Sequence, residues 1–179
     1  MFTPQQTVLF VIDVQGKLAR LVHNHVQVIR SIQGLIKAAQ ILDIPIIWTE
    51  QAPEKIGKTI LEIADLLTDI EPLAKTTFSS LAEPSVQKKL QSLNRNQIIV
   101  SGIETHVCVY QTIAQLIENE FSVQVVVDAV SSRTLENKQT ALNRIHALGA
   151  DMTSSEMIIT ELLQTSTHPK FREIIQLIK

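Results

Sequence analysis

Short runs rich in β-branched residues alternate with longer segments of helical spacing along the whole chain, and this alternation is the strongest constraint on the fold. Residues 7–13 (TVLFVID) form a continuous apolar run, as expected of a parallel strand covered on both faces. Val22, Val26, Ile29, Ile32, Ile36 and Ala39 then recur at three- and four-residue steps, which predicts a helix over 23–42. A second strand is expected over 44–49. The stretch 51–70 is less regular, with a loop at Pro53 and Gly57 and a short amphipathic helix, and a third, shorter strand is expected over 72–77. Pro84 suits the first position of a helix over 85–93. Strands over 97–101, 123–130 and 150–153 alternate with helices over 106–119 and 135–148, the latter ended by Gly149, and two helical stretches close the chain. Strand–helix alternation implies βαβ units with right-handed crossovers. The expected fold is α/β, a three-layer αβα arrangement on a Rossmann-like open sheet. With no repeat, low-complexity tract or linker, residues 1–179 are expected to form one domain.

Composition excludes several functions. Sixteen Lys and Arg against 18 Asp and Glu give a formal net charge of −2, with no basic stripe, and aromatic residues are only 4% of the 179. A nucleic-acid partner is therefore not expected. No apolar run is long enough to span a bilayer, and the first residues lack a charged signal-like region, so no membrane partner is expected. A single cysteine, Cys108, precludes an internal disulfide and points to a cytoplasmic location. The mean hydropathy of +0.15 leaves apolar surface for a partner subunit. The helix over 135–148, or the C-terminal positions Phe171, Ile174, Ile175, Leu177 and Ile178, are the expected sources of a homo-oligomer interface.

Ligands of open parallel sheets bind beyond the carboxyl ends of the strands. The residues that end strands are Asp13 and Gln15 after the first, Thr49, Glu50 and Gln51 after the second, and Lys75 and Phe78 near the third. The fourth is followed by the stretch 102–108 (GIETHVC), and Asp128 is placed at the end of the fifth. An acid, a base and a thiol thus converge on one rim. Cys108 reads either as a small buried hydrophobe or as a nucleophile. At a helix start, unpaired N–H groups and the helix dipole favour its thiolate, and Lys75 adds to that effect. Asp13 reads either as a cap of the following segment or as a proton acceptor for the thiol. Lys75, taken alone, reads as a solvated lysine.

Three segments carry a resemblance: VIDVQGKL at the first strand, KTTFSS in the middle, and SGIETHVCVYQT at the fourth strand, followed downstream by VVVDAVSSRTLENKQTALNRIHALGADMTSSE. In order and spacing they resemble the isochorismatase-like cysteine hydrolase family. The resemblance implies a six-stranded parallel sheet and an Asp–Lys–Cys triad at Asp13, Lys75 and Cys108. It also implies a non-proline cis peptide at Ile103–Glu104, with the backbone N–H groups of Glu104 and Cys108 forming an oxyanion hole. By the same resemblance Gln15, Trp48, Glu50, Gln51, Phe78 and Thr105 line the substrate pocket. Metal-dependent relatives carry an Asp-x-His after the second strand, where this chain reads Thr49-Glu50-Gln51, so no metal and no cofactor are expected. The expected reaction is hydrolysis of a small amide through a cysteine thioester, the substrate being the one small-molecule partner. Vinyl-ether hydrolysis and non-catalytic binding on the same fold are the alternatives.

Overall fold

The computed structural model describes residues 1–177. β1 (Thr7–Ile12) is buried along its whole length and leads through α1 (Leu18–Leu21) into the long α2 (His25–Ile41). β2 (Ile46–Gln51) follows, then the short helices α3 (Pro53–Ile56) and α4 (Leu61–Ala64) and the three-residue β3 (Leu73–Lys75). A 3₁₀ turn over Ser80–Ala82 precedes α5 (Pro84–Leu93), which starts on its proline. β4 (Gln97–Ile103) runs into a π-helical turn (Thr105–Val109) and α6 (Tyr110–Glu118). The chain continues through β5 (Ser122–Ser131), α7 (Leu135–Ala147), β6 (Asp151–Thr153), α8 (Ser155–Leu163) and α9 (Phe171–Ile175). Side-chain oxygens cap two of the later helices. Thr134 accepts from Asn137 N at 3.2 Å at the start of α7, and Ser154 accepts from Met157 N at 3.3 Å at the start of α8.

The six strands form one parallel sheet in the order β3-β2-β1-β4-β5-β6. This is the expected αβα architecture. Helices α2 and α8 cover one face, where Leu9, Val11, Trp48 and Ile99 point, and α5, α6 and α7 cover the other, where Phe10, Ile12, Ile47, Val100 and Cys108 point. Winding reverses between β1 and β4, so the carboxyl ends of these adjacent strands form the crevice where open sheets of this kind bind ligands. The chain leaves β1 at Asp13 and β4 at Glu104, both on that crevice.

Three strands outrun their expected ends. β2 continues to Gln51, β4 to Ile103 and β5 to Ser131. In β2 and β5 polar residues stay in the ladder because neighbouring strands satisfy their backbone, which hydrophobic patterning alone does not register. The C-terminal segment also departs from the expectation of an open interface. Ile174 is fully buried and Phe171 and Leu177 pack on the core beside α2, while Ile178 lies outside the described residues.

Candidate functional site

Asp13 leaves β1 in the left-handed region at φ +50°, a conformation that Asp tolerates better than most residues. The turn directs its carboxylate across the end of β2. Thr49 Oγ1 donates to Asp13 Oδ1 at 2.7 Å, and Lys75 Nζ donates to Oδ2 at 2.7 Å. Side chains alternate along β2, so Thr49 and Gln51 point to the same face as Ile47, toward Cys108, and Trp48 and Glu50 point to the opposite face.

Lys75 ends β3 with its side chain fully buried. Its ammonium also reaches Gln51 Oε1 at 2.7 Å, Thr77 O at 3.2 Å and Phe78 O at 3.3 Å. The turn after β3 thus wraps its carbonyls around the cation, so this is not a solvated lysine. A buried pair of this kind is costly to break from one side, because the remaining charge stays desolvated. Lys75→Met is expected to lower stability by about 3–5 kcal/mol, read as a fall in the urea midpoint. An unchanged midpoint would mean that the carboxylate of Asp13 reaches water in the variant.

Cys108 lies in the π-helical turn, buried, with Sγ 4.0 Å from Gln51 Oε1. Burial pushes its thiol up to about 12, and the negative charge of Asp13 adds to that rise, while Lys75 opposes it. Burial and the Asp13 charge thus act against the thiolate expected at a helix start, and the Lys75 charge acts for it.

The remaining expected pocket residues separate into distinct places. Gln15 is fully buried and acts as a clamp. Its Nε2 donates to Gln51 O at 3.1 Å and Gly57 O at 2.6 Å, and its Oε1 accepts from Gln51 N at 2.6 Å. Glu50, on the face away from Cys108, accepts from Thr59 N at 2.6 Å and secures the 57–60 loop. Trp48 packs among core residues on that same face, with Nε1 donating to Ile70 O at 3.0 Å, so it does not reach the rim. Strand alternation is the reason in both cases. Phe78 is 55% exposed and contributes its carbonyl to Lys75. Thr105 is fully buried and its hydroxyl has no partner among the described residues. Asp128 lies inside β5, not at its end, and faces α2 and α8. It accepts from Ser31 Oγ at 2.9 Å, from Ser155 N at 2.8 Å and from the Ser155 hydroxyl, which ties α8 to α2 away from the crevice.

Three contacts escaped the sequence reading. Thr49 steadies Asp13, and a period-two reading carried through to Gln51 would have found it. Arg133 donates through both its backbone N (3.1 Å) and Nε (3.0 Å) to the buried carboxylate of Glu104. His106 Nδ1 lies 2.9 Å from Ser132 Oγ. The last two depend on β5 running beside β4 as far as Ser131, opposite Ile103, which no local pattern encodes. The Ile103–Glu104 peptide is cis. Among the described residues, no three His, Cys, Asp or Glu side chains come together as a metal site, and no helix is long and apolar enough to cross a membrane.

Comparison with known proteins agrees with the fold. The isochorismatase domain model matches residues 7–157. Isochorismatase domain-containing protein 2A of Mus musculus is 36% identical over 177 residues, spanning 98% of this chain and 84% of that protein. The secreted isochorismatase effector Isc1 of Phytophthora sojae is 38% identical over 181 residues, spanning 98% of this chain and 86% of its own. A solved structure described as the MAR1 ribonuclease of Caenorhabditis elegans superposes with a TM-score of 0.93 at 39% identity, covering 99% of this chain and 91% of that one. With the model spanning most of the sequence and relatives this similar over nearly their full length, the chain belongs to the isochorismatase-like hydrolase family.

Proposed function

We propose that the protein hydrolyses a C–N bond of a small amide through a thioester on Cys108. The observation that carries this reading is the buried Asp13–Lys75 pair, held at 2.7 Å beside the buried thiol of Cys108 at the crevice where sheet winding reverses. Because burial and the Asp13 charge disfavour a free thiolate, attack is coupled to proton transfer. The sulfur bonds to the carbonyl carbon as its proton passes to the Asp13 carboxylate. Collapse breaks the C–N bond, and the amine leaves with the proton from Asp13. Water then gives a proton to Asp13, its oxygen bonds to the acyl carbon, the C–S bond breaks, and the proton returns to sulfur. Amide and water become acid and amine, and the enzyme is regenerated. Lys75 transfers no proton in this scheme; its ammonium holds the Asp13 carboxylate in place. The backbone N–H groups of Glu104 and Cys108 are assigned to the oxyanion, a role in which a single donor supplies about 2.7–4 kcal/mol in comparable sites.

Exposed apolar side chains on neighbouring helices, Leu21, Val26, Ile56 and Leu61, support assembly as a homo-oligomer. The lone thiol suits a reducing cytoplasm. The similar C. elegans structure is described as a ribonuclease. A net charge of −2 without a basic stripe does not favour RNA here, and RNA serves as a control substrate.

The test is an amide panel read by ammonia release, run beside a synthetic single-stranded RNA with wild type and Cys108→Ala. Turnover of an amide that disappears in the variant supports the proposal. Equal turnover in the variant, or cleavage confined to RNA, overturns it.

A further inference from the structure

Gln51 is not used by the scheme above, yet its side chain occupies the space between the cation and the thiol. Its amide can adopt one orientation only. Lys75 Nζ has no acceptor and Thr76 O has no proton, so Oε1 must face Lys75 at 2.7 Å and Nε2 must donate to Thr76 O at 2.9 Å. This orientation turns the same oxygen toward Cys108 Sγ, 4.0 Å away. The backbone of Gln51 is gripped on both sides by the buried amide of Gln15, which also holds Gly57 O. Lys75 meanwhile has four oxygen acceptors for three N–H groups, counting Asp13, Gln51, Thr77 and Phe78.

We infer that Gln51 is a positioning residue. Oriented by Gln15 and Thr76, its Oε1 accepts from Lys75 and stands where the Cys108 S–H can also donate, so that one carbonyl holds the cation in place and favours the thiol over the thiolate. This inference rests on the thioester reading for its catalytic meaning, but its test needs no substrate. It replaces the expectation that Gln51 is simply a pocket wall.

The probe is iodoacetamide, with labelling of the single thiol followed by intact mass between pH 6 and 10 in wild type, Gln51→Met and Gln51→Glu. Met keeps the length and removes the carbonyl acceptor, so the thiol loses a partner that favours its protonated form while Lys75 keeps Asp13, Thr77 and Phe78. A fall of about one pKa unit raises the thiolate fraction tenfold at fixed pH, and the accompanying loss of nucleophilicity reduces the gain in labelling to about threefold. Glu places a negative charge beside the thiol, so labelling falls below that of the wild type. Gln15→Leu, which releases the clamp without touching the site, shifts labelling in the same direction as Gln51→Met. Circular dichroism confirms that each variant is folded. Opposite shifts for Met and Glu establish the positioning role even if no amide is hydrolysed, a result that would count only against the thioester proposal. Labelling profiles that match the wild type in both folded Gln51 variants overturn it.

Discussion

Asp13→Asn is expected to label faster with iodoacetamide than the wild type at every pH below 9, and yet to lose turnover by about 10²–10⁴-fold, the usual contribution of a positioned general base. The two effects have opposite signs because Asp13 acts on the thiol in two ways. Burial is the first cause of the thiol's rise to about 12, and the carboxylate charge of Asp13 is the second, against the opposing pull of Lys75. Asn leaves the burial and the cation in place and removes the opposing charge. The folded-state pKa of Cys108 therefore falls, and more thiolate is present at any pH below it. Asn cannot take the thiol proton, so the proposed acyl-transfer sequence would stop. Lys75 keeps Gln51, Thr77 and Phe78 as acceptors, which favours a folded variant. Labelling against pH by intact mass, with turnover of a panel amide in parallel, tests both halves. Labelling no faster than the wild type would show that the carboxylate does not set the state of the thiol, and retained turnover would remove Asp13 from the mechanism.

Gly102→Ala should lower stability by about 2–6 kcal/mol, combining the strain of a left-handed backbone with the overpacking of a closed interior. Gly102 has φ +116°, and a Cβ placed there would stand 2.1 Å from Ile12 O and 2.5 Å from Ile12 N. Both obstacles belong to the backbone of β1, so no side-chain rotation relieves them. The contact lies where Ile12 pairs with Gly102, one residue before Asp13 and two before Glu104. Separating β1 from β4 at this point would also widen the proposed site. Urea unfolding gives the first quantity, and the iodoacetamide profile of Cys108 reports the second. A midpoint equal to that of the wild type would mean that β4 shifts its register without cost, contrary to the packing described here.

Much of this architecture is legible in the chain because it follows from periodicity. TVLFVID is apolar without interruption since a central parallel strand is covered on both faces, and β1 is buried from Thr7 to Ile12. Pro84 starts α5 as its fixed φ requires. Asp13, Lys75 and Cys108 were identifiable because Asp13 follows β1, Lys75 ends β3 and Cys108 lies in the first turn after β4, and parallel topology sends all such ends to one rim.

Distinctions within that rim were not legible. Glu50 and Gln51 are adjacent polar residues that look equally suited to a pocket. Once β2 is known to continue through both, alternation sends Gln51 to Lys75 and Glu50 to Thr59 on the other face, and Trp48 into the core. Asp128 reads as a strand-end acid until β5 is seen to run three residues further and the serines of α2 and α8 close around its carboxylate. The Glu104–Arg133 pair joins residues brought together only by β4–β5 pairing.

The sequence by itself therefore determined the class of fold, the covered central strands and the candidates Asp13, Lys75 and Cys108, because these depend on local pattern and on which residues lie at strand ends. Only the tertiary structure decided the burial of Cys108 and Lys75 and the orientation of Gln51. Charge state and hydrogen-bond direction depend on the distance to groups remote in the chain and on the exclusion of water, and both arise only when the sheet and its helices have closed.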